Sequence, residues 1–168
     1  MSEPTPAIDA VTAANAAFAA EFSADLAAPP SRQLAVVTCM DARIPVFEAF
    51  GLANGEAHVI RTAGGVVTDD VIRSLCISQR ALGTTELLVI HHSRCGMQGI
   101  TDDGFKADLE ADLGVKPPWA VETFTALDAD VRQSMRRIAN SPFIAEKGAV
   151  RGFVYDVDSG ELNEVMSA

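Results

Sequence analysis

No hydrophobic run in the chain approaches the roughly 20 residues a membrane-spanning helix needs, so no membrane association is expected. Basic residues are also scarce: 13 Lys and Arg stand against 23 Asp and Glu, a formal net charge of −10. That deficit excludes a duplex nucleic-acid binder, which needs a basic face to meet phosphates. The opening Met1-Ser2-Glu3-Pro4-Thr5-Pro6 lacks the basic region of a secretory signal, so the expected location is cytoplasmic. Cysteine is sparse and odd in number: Cys39, Cys76 and Cys95. A disulfide framework is thereby excluded, and thiol or metal chemistry is favoured. Internal repeats, low-complexity tracts and a second domain are absent too. What remains is an ordinary globular composition, 48% hydrophobic and 21% charged, over 168 residues. That length suits one domain.

Residues 1–30 read as a helical arm and residues 31–168 as a single α/β domain. In the arm, Ile8, Val11, Phe18 and Phe22 fall on one helical face, with Asn15 interrupting the stripe. Pro29-Pro30 is expected to end the helix. A stripe this narrow suits either packing on its own domain or docking on a second subunit. Beyond it, strand and helix alternate. Leu34–Thr38, Ala57–Arg61, Glu86–Ile90 and Val150–Val157 read as strands, and Leu162–Val165 as a short antiparallel edge strand after an Asp158-Ser159-Gly160 turn. Helices are expected after Pro45, after Thr68, around Phe105–Leu113 and along Leu127, Val131, Met135 and Ile138. This order predicts a mostly parallel four-stranded sheet with flanking helices on both faces.

In open parallel sheets, ligands bind beyond the carboxyl ends of the strands, where strand order reverses. The segments after the first and third strands are therefore the candidates. They read Cys39-Met40-Asp41-Ala42-Arg43 and His91-His92-Ser93-Arg94-Cys95-Gly96. His92 and Cys95 lie within one loop turn, and Cys39 adds a third donor from the neighbouring loop. A Cys2His set with one open position is a catalytic type of zinc site, and thiolate softness favours Zn2+ over magnesium or calcium. A Cys39–Cys95 redox pair would leave His92 without a role, and a cysteine nucleophile with a histidine base would leave the second cysteine without one. The Cys-x5-Arg of a cysteine phosphatase and the CxxC of a thioredoxin are both missing. Asp41 and Arg43 are expected to pair, either simply holding the loop or aiming the carboxylate at a metal-activated hydroxide.

CxDxR, R-x-A-G-G and HxxCG, in that order, resemble the β-class carbonic anhydrases in their short bacterial form, and the resemblance spans residues 33–165. It implies zinc on Cys39, His92 and Cys95, with Asp41 and Arg43 as the catalytic dyad. It further implies hydration of carbon dioxide to bicarbonate, a small gas as substrate, and a homodimer or dimer of dimers whose N-terminal helix lies across the partner. Ala63, Gly64, Gly65, Val66, Val67 and Gly96 are the candidate substrate pocket. Two positions depart from the family pattern. Arg61-Thr62 stands for the usual Arg-Asn, and His91-His92 for the usual Gly-His, with the HxxC spacing selecting His92. Carbonyl sulfide or carbon disulfide hydrolases share the scaffold, and a non-catalytic zinc-bound oligomer is a further alternative. Cys76 reads as a small core residue, His58 as a packed or solvent-edge histidine, and Asp102-Asp103 as helix-start acids. Arg132, Arg136 and Arg137 read as a solvated helix face or interface pairs.

Overall fold

The computed structural model describes residues 5–23 and 25–167. Its elements run α1 (Pro6–Glu21), β1 (Leu34–Cys39), α2 (Val46–Ala49), β2 (Ala57–Thr62), a 3-10 turn (Ala63–Gly65) and α3 (Asp69–Leu82). They continue with β3 (Glu86–His92), a second 3-10 turn (Gly96–Gly99), α4 (Asp102–Leu113), α5 (Leu127–Asn140), β4 (Val150–Tyr155) and β5 (Leu162–Val165). The strands form one sheet in the order β2-β1-β3-β4-β5. β1 pairs in parallel with both β2 and β3, β3 with β4, and β5 closes the edge antiparallel to β4. The chain moves outward from β1 to β2 and then returns to the other side of β1. Strand order thus reverses between β1 and β3, and the crevice expected there opens beyond Cys39 and His92.

Alternation along the strands sorts residues onto two cores. Ala35, Val37, Leu87 and Val89 join Val71 and Leu75 of α3 and Val131, Met135 and Ile138 of α5. On the opposite face Val36 and Ile90 pack with Ile44, Val46, Leu52, Phe153 and Tyr155. Fully burying a side chain such as Leu75 or Ile138 stabilises by about 2 kcal/mol. The long helices α3 and α5 therefore share one face, while the other is covered by short α2 and its flanking loops. Helices stand on both faces as expected, the long ones on one and short α2 on the other.

Several boundaries differ from the sequence expectation. α1 stops at Glu21 rather than running to Pro29-Pro30. None of its described residues is buried, and its last turn carries an acid and no base, which opposes the helix dipole. With Ile8, Val11, Phe18 and Phe22 all exposed, α1 does not pack on its own domain. β4 ends at Tyr155 instead of Val157, because the Asp156 carboxylate accepts the N–H groups of Asp158 and Ser159 and bends the chain into a turn. β3 extends to His92, so both histidines lie on the strand rather than after it. Thr68 precedes α3 with extended backbone but makes no side-chain cap, and Gly83 ends that helix in a left-handed conformation.

Candidate metal centre

β1 and β3 run side by side in the same direction, with Thr38 opposite Ile90, so their carboxyl ends deliver Cys39 and His92 to one place. Alternation then decides which histidine takes part. His91 points with Leu87 and Val89 towards α5, where its Nε2 meets Asp130 Oδ2 at 2.7 Å. His92 points to the other face, towards Cys39 and Cys95. The Sγ atoms of Cys39 and Cys95 and a ring nitrogen of His92 all lie within 4.8 Å of one another, and all three residues are buried. Among the described residues no other trio of histidine, cysteine, aspartate or glutamate comes together in this way.

The donors are prepared for a cation. His92 Nδ1 lies 3.0 Å from the Ser93 carbonyl, to which it donates as N–H. That assignment leaves Nε2 with a free lone pair, and Nε2 is a buried atom with no hydrogen-bond partner. A hydrogen bond from the Cys95 thiol, aided by His92, pulls the Cys39 thiol down to about 4 against the opposing effect of burial. The same pairing with Cys39, together with burial, pushes the Cys95 thiol up. Binding of a divalent cation would displace the thiol protons of such a pair. The donor set, two soft thiols and one imidazole, fits zinc.

Asp41 lies beside this trio and is held by Arg43. Its Oδ1 accepts from Arg43 Nε and backbone N, each at 2.9 Å, and its Oδ2 accepts from Arg43 Nη2 at 2.7 Å. The fork keeps the carboxyl far below the ordinary carboxylate range, so it is ionised at any physiological pH. Asp41 Oδ2 stands 3.7 Å from His92 Nε2, too far for a hydrogen bond. Arg43 Nη2 also donates to the Arg94 carbonyl at 3.1 Å and so ties the CxDxR loop to the HxxC loop. Arg94 is left-handed (φ 55°), which turns that carbonyl inward. Ser93 anchors the same loop to β4: its N–H reaches the Tyr155 carbonyl at 2.9 Å, and its Oγ accepts from Val157 N at 3.0 Å.

One side chain at the site escaped the sequence reading. Arg61, on β2, donates to the carbonyls of Cys39 (2.9 Å) and Asp41 (2.6 Å), bracketing the turn that separates thiol from carboxylate. Its position at the head of R-x-A-G-G was the available signal. Thr62 places its hydroxyl on the Val66 carbonyl at 3.1 Å, closing the Ala63–Gly65 turn.

The candidate pocket residues separate. Ala63 and Val66 line a cavity of about 350 Å3 together with Thr62, Met97, Trp119 and Val121. Gly64 and Gly65 are buried beneath it, Gly65 against the backbone of Cys39 and Ile90. Gly96 follows Cys95 and opens the second 3-10 turn. Val67 is core, and its outer edge meets a larger groove of about 1000 Å3 that runs past Asp69, Arg136 and Phe143 and contains none of the three donors. Cys76 lies apart on α3, packed against the first core, and His58 bonds Ser78 at 2.7 Å. The Asp102 carboxylate does more than start a helix: it accepts the N–H groups of Val121, Glu122 and Thr123. Arg137 is not solvated as expected, since Glu122 and the Val67 carbonyl hold it part-buried.

Fold and cluster together define a class: a mostly parallel α/β domain with a Cys2His donor set and an arginine-held aspartate at its strand-end crevice. The model of the carbonic anhydrase family matches residues 34–119. β-carbonic anhydrase 1 of Mycobacterium tuberculosis is 51% identical over 157 residues, covering 94% of this chain and 96% of the relative. A carbon disulfide hydrolase of Acidithiobacillus thiooxidans is more distant, at 33% identity over 80% of this chain and 77% of its own length. The crystal structure of carbonic anhydrase from Streptococcus mutans superposes with a TM-score of 0.90 at 42% identity, over 97% of this chain and 99% of that one. The chain belongs to the carbonic anhydrase family, in its β class.

Proposed function

We propose that this chain catalyses the reversible hydration of carbon dioxide to bicarbonate and a proton, with Zn2+ held by Cys39, His92 and Cys95. The observation that carries the proposal is the buried cluster of Cys39, His92 and Cys95, whose donor atoms lie within 4.8 Å of one another and whose His92 Nε2 has no hydrogen-bond partner. When bound there, zinc supplies the Lewis acidity that makes water a nucleophile near neutral pH.

The chain's own residues do the rest. Three protein donors leave a fourth position open for water or substrate. Arg43 occupies both oxygens of Asp41 and holds the carboxylate in one orientation; Oδ1 takes two of its hydrogen bonds, while Oδ2 takes one and keeps a lone pair free to accept another. Asp41 uses that capacity to orient the proton of the attacking water. Val66 packs in one apolar cluster with Cys39 and Cys95 and gives the crevice a wall suited to an uncharged gas, and the buried Gly65 brings backbone close to Cys39. Catalysis belongs to residues 31–168. The arm, residues 1–30, docks on a second copy to form a homodimer or dimer of dimers, a reading supported by an α1 that buries nothing in its own chain. Among the described residues no helix is long and apolar enough to cross a membrane, and we assign the enzyme to the cytoplasm.

Metal analysis of purified protein should return about one zinc per chain. Stopped-flow hydration of carbon dioxide should outpace hydrolysis of carbonyl sulfide and carbon disulfide on one preparation. Asp41→Asn should retain the metal and lose about a hundredfold or more in turnover. A metal-free enzyme with full activity, or an undiminished Asp41→Asn, overturns the proposal.

A further inference from the structure

Helix α5 carries a polar stripe beside its apolar one. Asp130, Ser134 and Arg137 are spaced i, i+4 and i+7 and share a face. Asp130 is 7% exposed and Ser134 fully buried. Such groups are costly inside a protein unless bonded, and each of these is bonded. Asp130 Oδ2 meets His91 Nε2 at 2.7 Å. Ser134 Oγ accepts from Val67 N at 3.2 Å. Arg137 Nη1 donates to the Val67 carbonyl at 2.8 Å, and its two Nη atoms reach the two Glu122 oxygens at 2.9 Å each.

Two partners of this stripe lead to the metal centre. His91 immediately precedes His92. Val67 stands two residues after Gly65, on which a Cβ would lie 3.1 Å from Cys39 N, so the backbone held by Ser134 and Arg137 continues the turn that backs onto a donor residue. Glu122 sits left-handed (φ 62°) in a strap whose N–H groups are gathered by Asp102. That strap carries Phe124, whose ring stacks on His91 at 5.4 Å and closes over Gly64, where an added Cβ would meet it at 2.8 Å.

We propose that Asp130, Ser134 and Arg137 are a positioning set for the metal centre. From one helix they hold the His91 imidazole, next to His92, and the Val67 backbone, which follows the turn behind Cys39. The inference rests on the metal reading above. Its test compares Asp130→Asn, Ser134→Ala and Arg137→Gln with Ile138→Val, which trims the apolar stripe of the same helix and touches none of these groups. Zinc release from the loaded protein into excess chelator should quicken about tenfold or more in the first three and stay unchanged in Ile138→Val, whatever each does to the unfolding midpoint. kcat should fall in the same three with KM little changed. Alkylation of Cys39 and Cys95, read by peptide mass with Cys76 as internal control, should quicken in parallel, and it needs no assumption about the metal. If the wild-type protein carries no zinc, the metal reading fails and the thiol rates still decide the positioning role. If Arg137→Gln does not fold, Glu122→Gln replaces it. Release and thiol rates that match those of Ile138→Val in every variant overturn the inference.

Discussion

Gly65 is where the fold is least forgiving and closest to the chemistry. Its φ is +77°, and a Cβ built on it would lie 3.0 Å from the Ile90 carbonyl oxygen and 3.1 Å from both Cys39 N and Thr38 C. All three are backbone atoms of the two central strands, so no side chain can swing away. Gly65→Ala therefore carries two costs. The left-handed backbone costs about 1–2 kcal/mol for a residue with a Cβ. Forcing an atom into a packed interior adds about 1–3 kcal/mol. Gly51→Ala supplies the control: its φ is +59°, but nothing lies within 4 Å of the new Cβ, so only the first cost applies. Both substitutions gain the same small entropic offset in the unfolded chain. Equilibrium urea unfolding should place Gly65→Ala about 1–3 kcal/mol below Gly51→Ala. Relief of the clash must come largely from the strand end at Cys39, because Ile90 lies in the middle of the sheet. Zinc affinity should then fall in Gly65→Ala and not in Gly51→Ala. Equal stabilities, or equal zinc affinities, would refute the claim that this turn is pressed against the donor strand.

Other consequences are as direct. In metal-stripped protein, iodoacetamide should alkylate Cys39 at nearly the same rate at pH 6 and pH 8. A thiol at about 4 is already ionised across that range, whereas an ordinary thiol near 8.5 gains about tenfold per pH unit; a Cys39 rate rising that steeply contradicts the lowering by Cys95. Asp102 is held below its ordinary value by the backbone N–H of Thr123 and then by the Thr123 hydroxyl. A depressed carboxylate stabilises above its unfolded value near 3.9 and loses that contribution as pH falls further. Melting temperature should therefore drop more steeply below about pH 4 in the wild type than in Asp102→Asn, and parallel curves count against the strap being held by this charge. Deleting residues 1–21 should reduce the mass seen by light scattering while leaving the core's unfolding midpoint nearly unchanged, since α1 buries none of its described residues in its own chain. A large loss of midpoint would mean the arm packs on its own domain.

What could be read in the sequence was whatever repeats at short range. β1 and β3 announced themselves as β-branched runs, and CxDxR and HxxC follow them within a few residues, so topology alone brings Cys39, His92 and Cys95 together. Strand alternation sorts the two adjacent histidines onto opposite faces, and the HxxC spacing selects the same one, His92. The end of α1 was misplaced for the same reason. Pro29-Pro30 is a strong local stop, but a helix with nothing to pack on ends sooner, at an unfavourably charged last turn.

Bonds from side chains to distant backbone left no such trace. Arg61 reaches the Cys39 carbonyl across 22 residues and Arg137 the Val67 carbonyl across 70. A carbonyl has no residue identity, so these bonds impose no pattern on their acceptors. The donors are visible only as arginines, and arginines on an amphipathic helix read by default as solvent-facing. Buried position is what separates Arg137 from its neighbour Arg136, and burial follows from tertiary packing. The polar stripe on α5 was nevertheless open to a helical-period search, because Asp130, Ser134 and Arg137 keep the spacing of the apolar stripe beside them. Apolar periodicity finds the core. In this chain polar periodicity adjoining it marks where α5 meets polar groups, the His91 imidazole and the Val67 backbone, because only hydrogen-bonding side chains can satisfy such groups once buried.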